Sequence, residues 1–160
     1  MSDTHDNLPL IDKAIEQLNR EAVEVVLHAG DYISPFAVTH FKKLTMKLIG
    51  VFGNNDGDHE LLKNRFAALE KAEVRGNFAE LDLDGLKTAL LHGEESGLLR
   101  SLINTNSYDV VVHGHSHEAA VYKQSKTLVI NPGEVCGYLS GKSTVAILDT
   151  VAREARIVQL

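Results

Sequence analysis

Hydrophobic and polar positions follow a helical period in the first part of this chain and a strand period in much of the rest. The first helical pattern lies in NLPLIDKAIEQLNREA, where four apolar residues fall on one face: Leu8, Ile11, Ile15 and Leu18. Asn7 precedes this pattern as a candidate N-cap, and Pro9 falls in the first turn, where a helix tolerates proline. The pattern therefore predicts a helix that buries this face.

Three further segments have helical patterns, and short apolar runs separate them. We predict helices in SPFAVTHFKKL, with Ser34 as the N-cap, in DHELLKNRFAALEKA and in ESGLLRSLINTN. The apolar runs in VEVVLHAGD, MKLIGVFGNND and YDVVVHGHSH predict buried strands that lead into glycine-containing loops. Strands and helices are therefore expected to alternate along this part of the chain.

The later part of the chain is predicted to consist mostly of strands. In AELDLDGLKTALLHG the alternation of apolar and polar residues is centred on Asp84 and Gly85, a pair typical of a two-residue hairpin turn. The segments AAVYKQ, TLVINPG, STVAILDT and EARIVQL carry further strand patterns. Strand–helix alternation followed mainly by strands predicts an α/β fold with two packed sheets and helices outside.

Composition limits the classes of function. The 160 residues, 24% of them charged and 44% apolar, predict one domain over residues 1–160 with a sizeable core. No apolar run is long enough to cross a bilayer, and no basic segment precedes an apolar stretch as in a signal peptide. Cys136, which we expect to be a small buried residue, is the single cysteine and fits a reducing compartment, so we expect a cytoplasmic protein.

Charge narrows the expected partners. The net charge of −6, without a cluster of Lys or Arg, argues against an extended nucleic-acid surface. It does not exclude a small phosphate ester, because bound metal ions could supply positive charge locally. The unusual feature of the composition is its eight histidines.

Side chains that can bind metal occur before the first helix and just past the ends of the predicted strands. They are Asp3, His5, Asp31, Asn54, His92, His115 and His117. In an open α/β sheet the carboxyl ends of the strands converge on one edge, so we expect these residues to be neighbours. The spacing of two within Asp3/His5 and within His115/His117 would direct both side chains of a pair to one side of extended backbone.

Taken together, the motifs Asp-x-His, Gly-Asp, Gly-Asn-x-Asp, His-Gly and Gly-His-x-His resemble those of the calcineurin-like metallophosphoesterases. The chain is most similar to the small single-domain archaeal and bacterial phosphodiesterases of that superfamily, and the resemblance includes the tail VINPGEVCGYLSGKSTVAILD. The resemblance implies a four-layer αββα sandwich of two mixed β-sheets flanked by helices. It also implies a phosphoesterase, and the preference for diesters over monoesters rests on the resemblance alone.

The resemblance assigns the ligands of a centre with two divalent metal ions. One ion would be held by Asp3, His5, Asp31 and His117. The other would be held by Asp31, Asn54, His92 and His115, so that Asp31 bridges the two. Imidazole, carboxylate and amide ligands suit Mn²⁺, the ion we expect, and also Ni²⁺, Fe²⁺, Co²⁺ or Zn²⁺. Two ions about 3.5–4 Å apart would present a bridging hydroxide for in-line attack at phosphorus.

Asn55 departs from the pattern of the wider superfamily, in which a histidine often occupies this position and protonates the leaving group. An amide cannot act as a general acid, although it can donate a hydrogen bond to a phosphate oxygen. We therefore predict a catalytic position at Asn55 without proton transfer. His28, three residues before Asp31, is a candidate for a hydrogen bond to one of the ligands.

The interpretation as an enzyme has one alternative. The same fold serves as a protein-interaction scaffold in the retromer coat, so a non-catalytic metal-binding scaffold is the alternative function. The oligomeric state is open, with a homodimer among the options.

The first strand of the resembling family is not found in this sequence. In that family an apolar strand runs directly into Asp-x-His, so we expect a truncated first strand that leaves Asp3 and His5 on a loose terminus.

Overall fold

Three α-helices, one 3-10 helix and ten strands make up the computed structural model, which describes residues 1–160. The helices are α1 (Leu8–Arg20), α2 (His59–Ala67) and α3 (Ser96–Asn104), and the 3-10 helix spans Ala37–Lys43. The strands are β1 (Val25–His28), β2 (Lys47–Gly50), β3 (Ala72–Val74), β4 (Phe78–Leu83), β5 (Leu86–Leu91), β6 (Val110–Val112), β7 (Ala120–Gln124), β8 (Thr127–Asn131), β9 (Thr144–Asp149) and β10 (Glu154–Gln159). None of the helices combines the length and the apolar character needed to cross a membrane.

The strands form three hydrogen-bonded groups. Strands β1, β2 and β3 form a parallel sheet in that order, and β9 pairs with β10 in antiparallel orientation. The largest sheet has the order β4-β5-β6-β8-β7. Its inner strands β5, β6 and β8 are parallel, whereas the outer strands β4 and β7 run antiparallel to their neighbours.

Apolar contacts on the first sheet show which helices cover it. Ile11 and Ile15 of α1 and Leu62 of α2 pack in one cluster with Val26 of β1. Val145 of β9 is buried in the same cluster, so the β9–β10 pair lies in the same layer as β1–β3.

The opposite faces of these strands pack against the five-stranded sheet. Ile49 of β2 is buried in one cluster with Leu90 of β5. On the outer face of the five-stranded sheet, Ile103 of α3 packs with Val111 and Val129. The order helix, sheet, sheet, helix confirms the predicted αββα sandwich.

The hairpin prediction is confirmed, and two helix predictions need correction. Leu83 of β4 pairs with Leu86 of β5 around a turn in which Asp84 and Gly85 have φ of 53° and 83°. The predicted helix in SPFAVTHFKKL is a 3-10 helix, and Phe36 rather than Ser34 is its N-cap. The helix predicted in DHELLKNRFAALEKA ends at Ala67, short of the end of that segment. The residues that follow lead into β3, which pairs with β2. Pairing with a neighbouring strand has overridden helix propensity there.

The layer that contains β1 and β9 is interrupted by a cavity of about 690 Å³. Val25 and Leu27 of β1 line one side, and Ala146 and Leu148 of β9 line the other. Met1 closes one end, since its α-amino nitrogen donates to the Leu27 carbonyl at 2.8 Å and its carbonyl accepts from the Ala29 N–H at 3.0 Å. This layer was expected to form one sheet. It is in two pieces because no strand lies between β1 and β9.

Candidate metal centre

Loops at the carboxyl ends of strands from both sheets bring the predicted ligands together. Asp31 follows β1, His92 follows β5 directly, and His115 and His117 follow β6. Because the two sheets pack face to face, these loops meet at one edge of the sandwich. The convergence expected from the order of the elements is therefore observed for these residues.

The amino-terminal segment is held in this centre by backbone hydrogen bonds on both sides. Asp3 N–H donates to the Gly30 carbonyl at 3.0 Å, and the Asp3 carbonyl accepts from the Cys136 N–H at 3.0 Å. His5 N–H donates to the Asp31 carbonyl at 3.1 Å. The expectation of a loose terminus at Asp3 and His5 is therefore wrong, because this segment is wedged between two loops.

Several predicted ligands have left-handed backbone conformations. The φ angles are 53° at Asp3, 40° at His5, 61° at Asp31, 68° at His115 and 59° at His117. The argument that extended backbone aligns each pair is thus wrong, since the pairs lie in tight loops. A non-glycine residue in this region costs of order 1 kcal/mol or more and persists where its surroundings require it, commonly at functional sites.

Asp31 lies at the middle of the predicted ligands. Its Oδ2 is 3.3 Å from His5 Nε2, 3.4 Å from His92 Nε2 and 2.8 Å from Asn55 Nδ2. Its Oδ1 accepts from the Asn55 N–H at 2.9 Å. Burial would raise the pKa of Asp31, but the contacts with His5, His92 and Asn55 outweigh burial and hold the pKa well below its ordinary value.

Asp3 forms a second point of contact within the centre. Its Oδ1 lies 3.3 Å from His117 Nε2 and 3.8 Å from His5 Nε2. Its Oδ2 accepts from the His115 N–H at 3.2 Å. Asp3 and Asp31 are both fully buried, and the imidazoles of His92 and His117 beside them are buried as well.

The donor atoms of the centre fit metal ions. Asp3 Oδ1, His5 Nε2 and His92 Nε2 are buried, and none has a hydrogen-bond partner of acceptable geometry. Such orphaned atoms are costly unless another ligand satisfies them. The ligand atoms of Asp3, Asp31 and His92 all lie within 4.8 Å of one another, as do those of His5, His117 and Cys136.

Hydrogen bonds on the far side of two imidazoles set their tautomers. His92 Nδ1 donates to the Ala29 carbonyl at 2.7 Å, and His117 Nδ1 donates to the Glu134 carboxylate at 2.6 Å. Because both partners only accept, the proton is on Nδ1 and the Nε2 lone pair faces the centre when the ring is neutral. This is the arrangement that metal-binding histidines adopt.

The carboxylates also favour protonation of His5 and His92 in the metal-free protein. The nearby carboxylates of Asp3 and Asp31 raise the pKa of His5 to about 9. Burial lowers the pKa of His92, but Asp31 outweighs it, so the net shift is upward. A metal ion entering this centre must therefore displace protons.

The structure distinguishes the two neighbouring asparagines. Asn55 contacts Asp31 through both its backbone and its side-chain N–H groups. Both residues are exposed, but the Asn54 side chain makes no hydrogen bond with the other predicted ligands. His115 is also exposed, and the centroid of its ring lies 5.1 Å from that of His92.

His28 makes no hydrogen bond with the side chain of any predicted ligand. Its Nε2 lies 3.3 Å from Thr4 Oγ1, and its Nδ1 accepts from the Gly30 N–H at 3.2 Å. Burial holds the pKa of His28 well below its ordinary value, so the ring is neutral. His28 supports the backbone on either side of the centre instead of orienting a ligand.

Sequence reasoning missed two buried carboxylates beside the centre. Asp56 accepts backbone N–H groups from the loop that carries Asp31, including Tyr32 at 2.6 Å and Ile33 at 2.8 Å. Asp56 closes the Gly-Asn-x-Asp motif, so a signal for it was present. Glu134, the partner of His117, follows Gly133 in the tail, where no periodic pattern marks it as buried.

Known proteins resemble this chain in sequence and in structure. The model of the calcineurin-like phosphoesterase superfamily domain matches residues 1–153. A phosphodiesterase of Methanocaldococcus jannaschii is 43% identical over 160 residues, which cover 100% of this chain and 96% of that protein. The solved structure of an archaeal phosphodiesterase superposes with a TM-score of 0.95 at 43% identity, covering 100% of this chain and 97% of that chain.

A more distant structural likeness involves Vps29 from Entamoeba histolytica. That structure has a TM-score of 0.71 at 15% identity and covers 100% of this chain and 97% of that chain. Identity this low shows the fold alone, so the likeness does not favour a scaffold function for this chain. The family match over most of the sequence and the close relatives agree with the geometry of the centre, and this chain belongs to the calcineurin-like phosphoesterase superfamily.

Proposed function

We propose that residues 1–160 form a single-domain phosphodiesterase that uses two divalent metal ions. Mn²⁺ is the ion we expect. The observation that carries this proposal is the set of buried, unpartnered ligand atoms of Asp3, His5 and His92 that surround Asp31. The 43% identity over the whole chain to a protein named as a phosphodiesterase supports the choice of diesters.

The proposed ligands divide into two sets that share Asp31. Asp3, His5, Asp31 and His117 would hold one ion, and Asp31, Asn54, His92 and His115 would hold the other. Asn54 would have to turn its exposed amide inward to complete the second set. When bound, two such ions supply positive charge for a phosphate ester and lower the pKa of a nucleophilic water.

The side chains of the centre set its net charge and decide whether the leaving oxygen receives a proton. Only Asp3 and Asp31 contribute negative charge to the proposed ligand sets, so a dinuclear centre retains positive charge for the phosphate group. Asn55 donates through Nδ2 to Asp31 at 2.8 Å and holds that carboxylate in place. Because an amide is too weak an acid to transfer a proton, Asn55 leaves the departing oxygen unprotonated.

Hydrolysis of two nitrophenyl esters tests the proposal. Protein stripped of metal and then supplied with Mn²⁺ is expected to hydrolyse bis(4-nitrophenyl) phosphate faster than 4-nitrophenyl phosphate, and the stripped protein is expected to hydrolyse neither. Asp31→Ala, purified in parallel, controls for contaminating enzymes. Metal-loaded protein inactive on both esters would support the scaffold alternative, and a faster rate on the monoester would refute the diester preference.

A further inference from the structure

Glu134 is a fully buried carboxylate that belongs to neither proposed set of metal ligands. It lies in the loop between β8 and β9, and its oxygens accept hydrogen bonds from two directions. On one side His117 Nδ1 donates to Oε2 at 2.6 Å. On the other side the N–H groups of Tyr138 and Leu139 and the hydroxyl of Ser140 donate at 3.0, 3.0 and 2.7 Å.

The contact with His117 determines which nitrogen of that ring faces the centre. With Nδ1–H donated to Glu134, Nε2 points toward Asp3 Oδ1 at 3.3 Å. Without an acceptor at Nδ1, the ring could take the other tautomer or rotate, and Nε2 would no longer be held as a ligand. Glu134 thus preorganises His117 for a metal ion.

The contacts with the loop hold two exposed side chains, and one of them, Tyr138, lies beside the centre. Tyr138 is 62% exposed and Leu139 is 76% exposed, yet their backbone N–H groups are bound by the buried Glu134. The Tyr138 ring centroid lies 6.4 Å from that of His5, with the rings edge to face. The position of Tyr138 at this side of the centre therefore depends on the same carboxylate that orients His117.

We propose that Glu134 is a positioning residue that couples metal binding at His117 to the order of the Tyr138–Ser140 loop. The inference rests on the proposed metal centre, although its test requires no hydrolysis. A metal ion that fixes His117 also fixes the Glu134 carboxylate, which then holds the loop N–H groups more firmly. By thermodynamic linkage, the factor by which metal binding favours the ordered loop equals the factor by which the ordered loop raises the affinity for metal.

Amide hydrogen exchange measures the coupling from the loop side. In the wild-type protein, Mn²⁺ is expected to slow exchange at Tyr138, Leu139 and Ser140 by about tenfold. The N–H groups of Gly85 and Ala152 are matched controls, because each donates to an aspartate carboxylate in a turn that contributes no residue to the centre. Their exchange is expected to be unaffected by the metal.

Metal titration of a variant measures the coupling from the metal side. Glu134→Gln keeps the shape of the side chain but presents an amide, whose N–H groups cannot accept from the surrounding donors. We expect about a tenfold to hundredfold loss of affinity at one of two metal sites, and loss of the metal effect on loop exchange. Glu118→Gln removes an exposed charge close in sequence to His117 and is expected to bind metal like the wild type.

The outcomes separate this inference from the proposed function. Wild-type protein that binds two metal ions without any change in Tyr138–Ser140 exchange would overturn the coupling and leave the metal centre intact. Wild-type protein that binds no metal would overturn both. Because the exchange measurement uses the wild type, a Glu134→Gln variant that fails to fold does not prevent the test.

Discussion

Asp31 is the residue on which most contacts of the proposed centre converge. Its two oxygens contact His5, His92 and Asn55, and its backbone φ of 61° is in a region that few non-glycine residues adopt. Four backbone N–H groups, among them that of Asp31, bind Asp56 and hold the surrounding loop in this conformation. The local strain is therefore balanced by a buried network of hydrogen bonds.

The substitution Asp31→Asn should lower the metal content of both sites, because it keeps the shape of the side chain and removes its charge. The measurement is metal per chain by elemental analysis after equilibration with limiting Mn²⁺. Asp84→Asn is a matched control, since it removes a carboxylate from the exposed hairpin turn, where asparagine is well tolerated. An Asp31→Asn protein with wild-type metal content would contradict the bridging role.

The substitution Asn55→His should change how hydrolysis depends on the leaving group. In the proposed mechanism the leaving oxygen of the wild-type reaction departs unprotonated, so log kcat should fall steeply as the pKa of the leaving phenol rises, and histidine should flatten this slope. Asn55→Ala, which supplies no acid, should keep the steep slope even if its rate is lower through loss of the contact with Asp31. A flat slope in the wild type would reveal another acid.

At the scale of elements, the cavity between β1 and β9 is the clearest interruption of regular structure. Met1 N donates to the Leu27 carbonyl and Ala29 N donates to the Met1 carbonyl, which is the pattern of a parallel pair. By strand alternation the Val25 carbonyl and the Leu27 N–H also face the cavity. A fully buried backbone group without a partner costs about 1–3 kcal/mol, and because Val25 and Leu27 are half-buried, each unpaired group on this edge of β1 costs less than that.

A chain extended before Met1 by about five β-branched apolar residues should be more stable, since these residues can pair with β1 and β9 and fill the 690 Å³ cavity. We expect a gain of a few kcal/mol in the free energy of unfolding in denaturant. An extension of the same length made of Gly and Ser is the control. Metal content should not change, because Asp3 is already held by Gly30 and Cys136. No gain over the Gly/Ser control would contradict this account.

The buried amino group of Met1 provides a pH-dependent check of the same region. Burial, only partly offset by Asp3, lowers its pKa from 8.0 to about 5. Between these values the unfolded chain binds a proton that the folded chain does not, so this group contributes a rise in the stability of metal-free protein as pH increases from 5 to 8, opposite to the contribution of His5. In the extended chain this nitrogen is an amide, so the unfolding free energy at pH 8 relative to that at pH 5 should be lower than in the original chain.

At the scale of the whole molecule, the proposed centre joins the two packed sheets. Asp31 follows β1 in one sheet, whereas His92 follows β5 in the other, and their side-chain atoms lie 3.4 Å apart. A metal ion held between them would cross-link the layers near the edge of the sandwich. Metal binding should therefore contribute to the stability of the entire fold as well as to chemistry.

Mn²⁺ should raise the free energy of unfolding, by about 2.7 kcal/mol when its free concentration is a hundred times the dissociation constant.

The pKa of His5 is raised to about 9 without metal, so His5 contributes stability below pH 6.5 that is lost as pH rises through 9. Metal competes with that proton, so the gain from Mn²⁺ should be larger at pH 8 than at pH 6. Equal gains at both pH values, measured by urea unfolding, would contradict proton displacement.

Much of the fold and many of the proposed ligand positions follow from local patterns in the sequence. The helix that begins at Leu8, the turn at Asp84 and Gly85, and the placement of His92 and His117 after strands each depend on residues close together in the chain. Hydrophobic period, turn chemistry and motif order report such local features directly. Together they also predict the αββα architecture, because few topologies satisfy that order of elements.

Tertiary structure alone decided the features that depend on distant neighbours. The segment Ala72–Val74 becomes a strand because β2 offers an open edge, although the helical pattern predicted before it runs as far as Ala72. Asn55 rather than Asn54 reaches Asp31, since a loop anchored by Asp56 fixes which amide turns inward. Glu134 is missed for the same reason: its partner His117 lies 17 positions away, and a buried carboxylate is stable only where folding supplies its donors.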